Sequence, residues 1–156
     1  MNIYTSQASI VAALTTAFTA LEVRWIASDL PEAQNQYQLG VPNERVWVVY
    51  KGSTADPSIT NQIAQDRKVS FAVEIYSKSL YDSNGVMAIR DVIEQVLIGF
   101  KPTSCQRLYL VKDELTITED RIWAHVLQLE CKTLLVQKED SDPIVINNFL
   151  GIENTD

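Results

Sequence analysis

The side chains that most often perform enzyme chemistry are sparse in this chain of 156 residues. Its single histidine, His125, lies between Trp123 and Leu127 in a run of alternating apolar residues, a pattern typical of one packed face of a strand. General acid–base or serine–histidine catalysis near neutral pH would depend on that histidine. We therefore interpret His125 as a structural residue.

Two adjacent pairs of acidic residues are alternative acid–base candidates: Asp113 with Glu114, and Glu119 with Asp120. We place both pairs in turns that flank a hairpin, where charged side chains are ordinarily solvated. The sequence also lacks the GxxxxGK[ST], GxGxxG, HExxH and GxSxG motifs of phosphate binding, dinucleotide binding, metalloproteases and esterases. These observations predict a protein that is not an enzyme.

The two cysteines, Cys105 and Cys131, do not have the close spacing of zinc ligands, and His125 is their only histidine companion. Two distant cysteines also do not form a disulfide framework. We expect reduced thiols in a cytosolic setting, with no metal and no cofactor.

Charge and hydropathy limit the possible partners. The formal net charge is −7; residues after Lys138 contribute −5, which leaves −2 for the rest of the chain. Because no cations cluster along the sequence, we do not expect a surface that binds nucleic acid, although DNA could pass such a protein without being held. The first residues resemble no export signal, and every apolar run falls well short of the ~18 residues of a membrane span. We expect a soluble, non-secreted chain with no membrane partner.

The clearest structural unit runs from Arg67 to Pro102. Apolar residues alternate from Val69 to Ile75, which predicts a strand with one packed face. From Val86 to Phe100 the apolar period becomes 3.6, which predicts an amphipathic helix. We expect Asp82, Ser83 or Asn84 to cap its N-terminus, Gly99 to adopt a left-handed conformation at its end, and Pro102 to prevent its continuation.

The remaining elements are arranged around this unit. A first helix is predicted over Ser6–Leu21, with Thr5 or Ser6 as its cap. Predicted strands cover Glu22–Ala27, Arg45–Lys51 and Ile122–Val136, and the stretches 106–111 and 115–118 form one bulged strand or two short strands. Long polar segments, 28–44 and 52–66, separate the first three strands.

Strands and helices that come in runs favour an α+β fold, with an antiparallel or mixed sheet and two helices packed on one face. We predict a single α+β domain over residues 1–138, followed by an acidic C-terminal arm over 139–156 that docks elsewhere. The second strand is apolar on both faces, so one face is available to a partner. The candidate subunit or partner interface comprises this strand, the hairpin and the arm: Trp47, Val49, Lys51, Asp113, Glu114, Glu119, Asp120, Phe149 and Leu150.

Two stretches carry a family resemblance: FAVEIYSKSLYDSNGVMAIRDVIEQVLIGFKP (71–102) and WAHVLQLECKTLLV (123–136). Together with their spacing, they resemble the tail-terminator (neck) proteins of Mu-like and other myovirus-type tailed bacteriophages, over residues 6–136. The resemblance implies a ring-forming subunit, commonly of a hexamer, that caps the tail tube and sheath and receives the head–tail connector. It further implies assembly in the host cytoplasm, a final location in the neck of the virion, and DNA in transit through the ring. No catalytic residue is carried over.

Two alternatives remain open at this level. The first alternative is a different component of the same particles, such as a head–tail connector, a tail-completion protein or the cap of a phage-derived contractile injection system. The second is a small ligand-binding α+β domain or enzyme. A ring in assembled particles favours the neck readings, whereas a monomer with a concave polar pocket favours the last.

Overall fold

The computed structural model describes residues 2–29, 44–56 and 64–136. In chain order its elements are α1 (Ile3–Ala20), β1 (Ile26–Asp29), β2 (Arg45–Ala55), β3 (Ala64–Ser77), α2 (Val86–Leu97), β4 (Tyr109–Ile117) and β5 (Trp123–Val136). The strands form one mixed sheet in the order β1-β2-β3-β5-β4; β1 is parallel to β2, and all other pairs are antiparallel. Both helices pack on one face of it, so the predicted α+β class is confirmed.

The core lies between the two helices and one face of the sheet. On β3 the predicted alternation is confirmed: Val69, Phe71, Val73 and Ile75 are fully buried. Each helix presents one buried stripe to this face, formed by Ile10, Leu14 and Phe18 on α1 and by Val86, Ile89, Ile93 and Leu97 on α2. Burial of such side chains contributes about 1.5–3 kcal/mol each before conformational entropy is counted, so these stripes hold the helices in place.

The first helix begins earlier than predicted. Its cap is Asn2, whose side-chain oxygen accepts a hydrogen bond from the Thr5 amide at 3.2 Å, so the predicted cap at Thr5 or Ser6 is wrong. Ser6 is buried instead, and its hydroxyl donates to the carbonyl oxygen of Thr103 at 2.7 Å. A buried hydroxyl requires such a partner, and this bond ties α1 to the segment after α2.

The first predicted strand is displaced along the chain. Glu22 has a φ of 55°, and the Val23 amide donates to the carbonyl oxygen of Phe18, so residues 21–25 turn away from the helix instead of extending. Trp25 is buried, and its indole N–H donates to the carbonyl oxygen of Asn84 at 3.0 Å. Strand β1 therefore begins only at Ile26, and the prediction over Glu22–Ala27 is wrong for its first part.

Strands β2 and β3 are longer than the sequence pattern indicates. They extend into the polar segment 52–66, where Gly52, with a φ of 115°, follows a bulge in the pairing with β3. The stretches around 106–118 form one bulged strand, β4, whose register shifts between Leu110 and Lys112. Of the two readings left open by the sequence, the single bulged strand is correct.

The start of α2 is capped by backbone groups, so the predicted side-chain cap at Asp82, Ser83 or Asn84 is wrong. The N-cap residue is Gly85, and the first helical amides donate to the carbonyl oxygens of Ser79 and Leu80. A Cβ atom at Gly85 would lie 2.8 Å from the carbonyl carbon and oxygen of Leu80, so only glycine fits here. At the other end, Gly99 has a φ of 84°, as predicted.

Candidate assembly surface

The face of the sheet opposite the helices is here called the open face, because both described helices pack on the other side. Its members follow from the strand register. Three rows of cross-strand neighbours run over it from β2 to β4: Arg45, Tyr76, Ala124 and Thr116; Trp47, Glu74, Val126 and Glu114; Val49, Ala72, Gln128 and Lys112. The rows mix apolar, acidic and basic side chains, whereas the helix side of the sheet forms the hydrophobic core.

Three predicted interface residues lie together on the open face. Trp47 is only 6% exposed, and the Arg45 guanidinium carbon lies 5.7 Å from its ring centroid. Val49 is half-buried beside it, and the Lys51 ammonium is 4.0 Å from a carboxylate oxygen of Glu74. Trp47 is therefore largely covered by its neighbours on the open face, and of these three residues Lys51 is the one that is accessible to solvent and to a partner.

The predicted pair Asp113 and Glu114 is in the middle of β4, so its assignment to a turn is wrong. Adjacent strand residues point to opposite faces, and the two carboxylates are thereby separated. Glu114 is on the open face, 3.1 Å from the Lys112 ammonium, whereas Asp113 points to the helix side. Glu119 and Asp120 are exposed in the turn between β4 and β5, as predicted. Phe149 and Leu150 lie outside the described residues.

Asp113 is held by an arginine that sequence reasoning did not single out. The Nε and Nη2 atoms of Arg90 on α2 are 3.1 and 2.5 Å from Asp113 Oδ2, and its Nη1 atom contacts the carboxylates of Asp91 and Glu94. The hydrogen bond with Asp113 raises the pKa of Arg90, and the same bond lowers the pKa of Asp113. This cluster ties the helix layer to β4, the last strand of the sheet. The i, i+4 spacing of Arg90 and Glu94 predicts their ion pair on a helix. The sequence gives no comparable signal for the contact between Arg90 and Asp113, which are 23 residues apart.

His125 lies beneath this cluster and is 5% exposed. Its Nε2 atom is 3.5 Å from Asp113 Oδ2, and neither ring nitrogen has a hydrogen-bond partner among the residues that the structure describes. Burial lowers the pKa of His125, which favours the neutral ring. The histidine is on the helix face of β5, where the apolar alternation placed it.

The two cysteines also meet inside the protein. Both are buried, and the Cys105 sulfur is 3.8 Å from the Ser6 hydroxyl oxygen. A hydrogen bond from Cys131 lowers the pKa of Cys105 to about 7 and raises the pKa of Cys131. Across residues 2–29, 44–56 and 64–136, no group of three or more histidine, cysteine or acidic side chains is arranged to hold a metal ion.

Strand β4 forms an edge of the described sheet, and apolar side chains project from it. Val111, Leu115 and Ile117 are all exposed, although residues of this type are usually covered. One side of β4 pairs with β5; no described strand pairs with the other side. An edge strand with free amides and carbonyls readily pairs with another chain. Neither helix in the described ranges has the length and apolarity to cross a membrane.

At the far end of the sheet, β3 and β5 extend beyond β4. Lys68 on β3 is directly opposite Lys132 on β5, and both are exposed on the open face. The next positions outward on β5 carry Leu134 and Val136, which are 58% and 62% exposed. Sequence reasoning missed this group, because Lys68 lies 64 residues before Lys132 and only the strand register brings the two lysines together.

The fold has a counterpart among solved structures. A chain from the virion of a native gene transfer agent (GTA) particle matches with a TM-score of 0.55 and 9% sequence identity, over 83% of this chain and 94% of that chain. At that identity the likeness is one of fold. No curated protein matches this sequence. The family model described as Gp37 protein matches residues 10–151, which is most of the chain. The chain therefore belongs to the Gp37 protein family.

Proposed function

We propose that this protein is a structural subunit of a phage-type particle. In this proposal it forms a ring, a hexamer, at the end of the finished tail, caps the tube and sheath, and joins them to the head–tail connector. The observation that carries the proposal is the fold shared with a virion chain over 94% of that chain's length. The Gp37 family and the residues 71–102 and 123–136 support the same reading.

The surfaces described above support a ring. A closed ring of identical subunits needs a heterologous contact, in which one face of a subunit meets a different face of the next. The exposed apolar edge of β4 and the open face are two such different surfaces of one subunit. We propose β4 with its turn as one half of the contact, and the open face around Lys51 as the other.

The proposed role is structural rather than catalytic. The histidine is buried with no hydrogen-bond partner in the described part of the chain, and Asp113 is bound to Arg90 and points to the opposite face of β4 from Glu114. The net charge of −7 suits a ring around DNA in transit, because a wall of like charge does not trap phosphates.

Light scattering and electron microscopy of the purified full-length chain test the proposal. We expect a mass of six subunits that is stable on dilution, and rings in micrographs. Val111→Lys combined with Ile117→Lys should dissociate the ring while circular dichroism stays native. Tyr81→Lys is the matched control, because Tyr81 is 84% exposed and belongs to the loop between β3 and α2 rather than to β4. A monomer at all concentrations, or a ring indifferent to the β4 substitutions, would contradict the proposed contact.

Particles produced without this chain test its position in the neck. A terminator is expected to leave separate filled heads and tails of uncontrolled length. A connector or tail-completion protein is expected instead to leave tails of normal length that fail to join heads.

A further inference from the structure

Lys68 and Lys132 form an unusual pair on the open face. Residues directly opposite on antiparallel strands have Cβ atoms about 5 Å apart, and like charges at such positions are destabilising. The nearest carboxylates on this face, Asp66 and Glu130, are one row away on either side. Glu130 already accepts hydrogen bonds from Tyr109 and Ser70. Neither lysine has an ion-pair partner in the part of the chain that the structure describes.

Exposed apolar side chains adjoin these cations. Leu134 and Val136 follow Lys132 at alternate positions of β5, so all three share the open face. We call Lys68, Lys132, Leu134 and Val136 the basic–apolar patch. An unpaired cation pair next to exposed aliphatic groups is complementary to a peptide that carries carboxylates close to apolar residues.

The chain itself contains a segment of this chemistry. Residues 139–142 supply three carboxylates within four positions, and residues 143–152 are mainly apolar. No lysine or arginine follows Lys138, so nothing in the segment repels the patch. The family match continues to residue 151, so this segment belongs to the family pattern.

We propose that the basic–apolar patch binds residues 139–150 of a neighbouring copy of this chain. The carboxylates of Glu139, Asp140 and Asp142 pair with the two lysines, and Phe149 and Leu150 cover the aliphatic side chains. The inference rests on the proposed function only for the presence of a neighbouring copy.

The direction of β5 favours a neighbour over the same chain. Val136 ends the strand on the side away from Lys132, so an extended continuation moves away from its own lysines. Residues 137–142 span up to about 20 Å when extended, and Pro143 favours an extended conformation at Asp142. To reach its own patch, the segment would have to reverse within these six residues.

Cross-linking with a carbodiimide tests the contact directly. Equal amounts of 15N-labelled and unlabelled full-length chains are mixed in denaturant and refolded together, so that any assembly contains both isotopes, and are then cross-linked and analysed by mass spectrometry. We expect peptides that join Lys68 or Lys132 of one isotope to Glu139, Asp140 or Asp142 of the other. Same-isotope links alone would place the segment on its own patch and overturn the proposal, as would no link. This readout requires no ring, so it fails independently of the proposed function.

Charge reversal provides a second readout. Lys68→Glu with Lys132→Glu, and separately Glu139→Lys with Asp140→Lys and Asp142→Lys, should each raise the concentration for half-assembly at least tenfold. Mixing the two variants should restore assembly, because each arm then meets an oppositely charged patch on its neighbour. Lys78→Glu with Lys101→Glu is the control, since both lysines are exposed elsewhere. Restoration only when all five substitutions share one chain would overturn the exchange between copies.

Discussion

Asp113 and Glu114 offer a sharp test of what the strand does to two neighbouring acidic residues. Asp113→Asn keeps the shape of the side chain but removes the charge that Arg90 contacts through two nitrogens. A hydrogen bond to a charged group contributes about 1.5–3 kcal/mol, whereas exposed ion pairs contribute about 0–1 kcal/mol. The Asp113 side chain is 36% exposed, and Arg90 keeps Asp91 and Glu94 as partners. We therefore expect a loss of about 1–2 kcal/mol, between these two limits.

Thermal unfolding measures this loss. For a chain of this size, 1 kcal/mol corresponds to about 2–4 °C in Tm, so Asp113→Asn should lower Tm by about 2–8 °C at low salt. Glu114→Gln is the matched control: it alters the adjacent residue, whose partner Lys112 is exposed, and should lower Tm by about 0–4 °C, less than Asp113→Asn does. If the two substitutions have equal effects, Arg90 does not hold the sheet edge as described.

The other predictions concern the glycines, the core and the histidine. Gly85→Ala should lower the free energy of unfolding in urea by about 3 kcal/mol, because the added Cβ meets rigid backbone. Gly99→Ala should lower it by about 1 kcal/mol, because only the positive φ opposes a side chain there; a larger effect at Gly99 would contradict the described cap. Ile93→Asp places a charge in the core and should abolish the native circular dichroism spectrum, whereas exposed Gln95→Asp on the same helix should not; a folded Ile93→Asp protein would refute the assigned face. Because burial lowers the pKa of His125, only the unfolded chain gains a proton just below pH 6.5, so the free energy of unfolding should decrease as the pH is lowered through that range. The decrease should be smaller in His125→Phe, and an equal dependence on pH in the two proteins would show that the histidine is not its cause.

The sequence itself could not reveal several of the contacts described here. The backbone cap of α2 uses carbonyl groups of Ser79 and Leu80, and main-chain acceptors leave no mark in residue types. Alternating polar and apolar neighbours predict that Trp25 is a strand residue, but it precedes β1, is buried in the core and donates its indole N–H to the Asn84 carbonyl oxygen. In both cases a loop conformation decided the outcome, and loop conformations follow from packing rather than from local periodicity.

By itself, the sequence determined the elements whose signals are local. The alternation from Val69 to Ile75, the helical stripe of α2 and the left-handed Gly99 depend on neighbouring residues alone, and all three are confirmed. Only the tertiary structure decided which distant side chains meet. Strand register placed Lys68 opposite Lys132, and it placed Asp113 opposite the core residue Leu127 and Glu114 opposite Val126 of the open face. A shift of one residue reverses every face, so register is a property of the assembled sheet and not of any single strand.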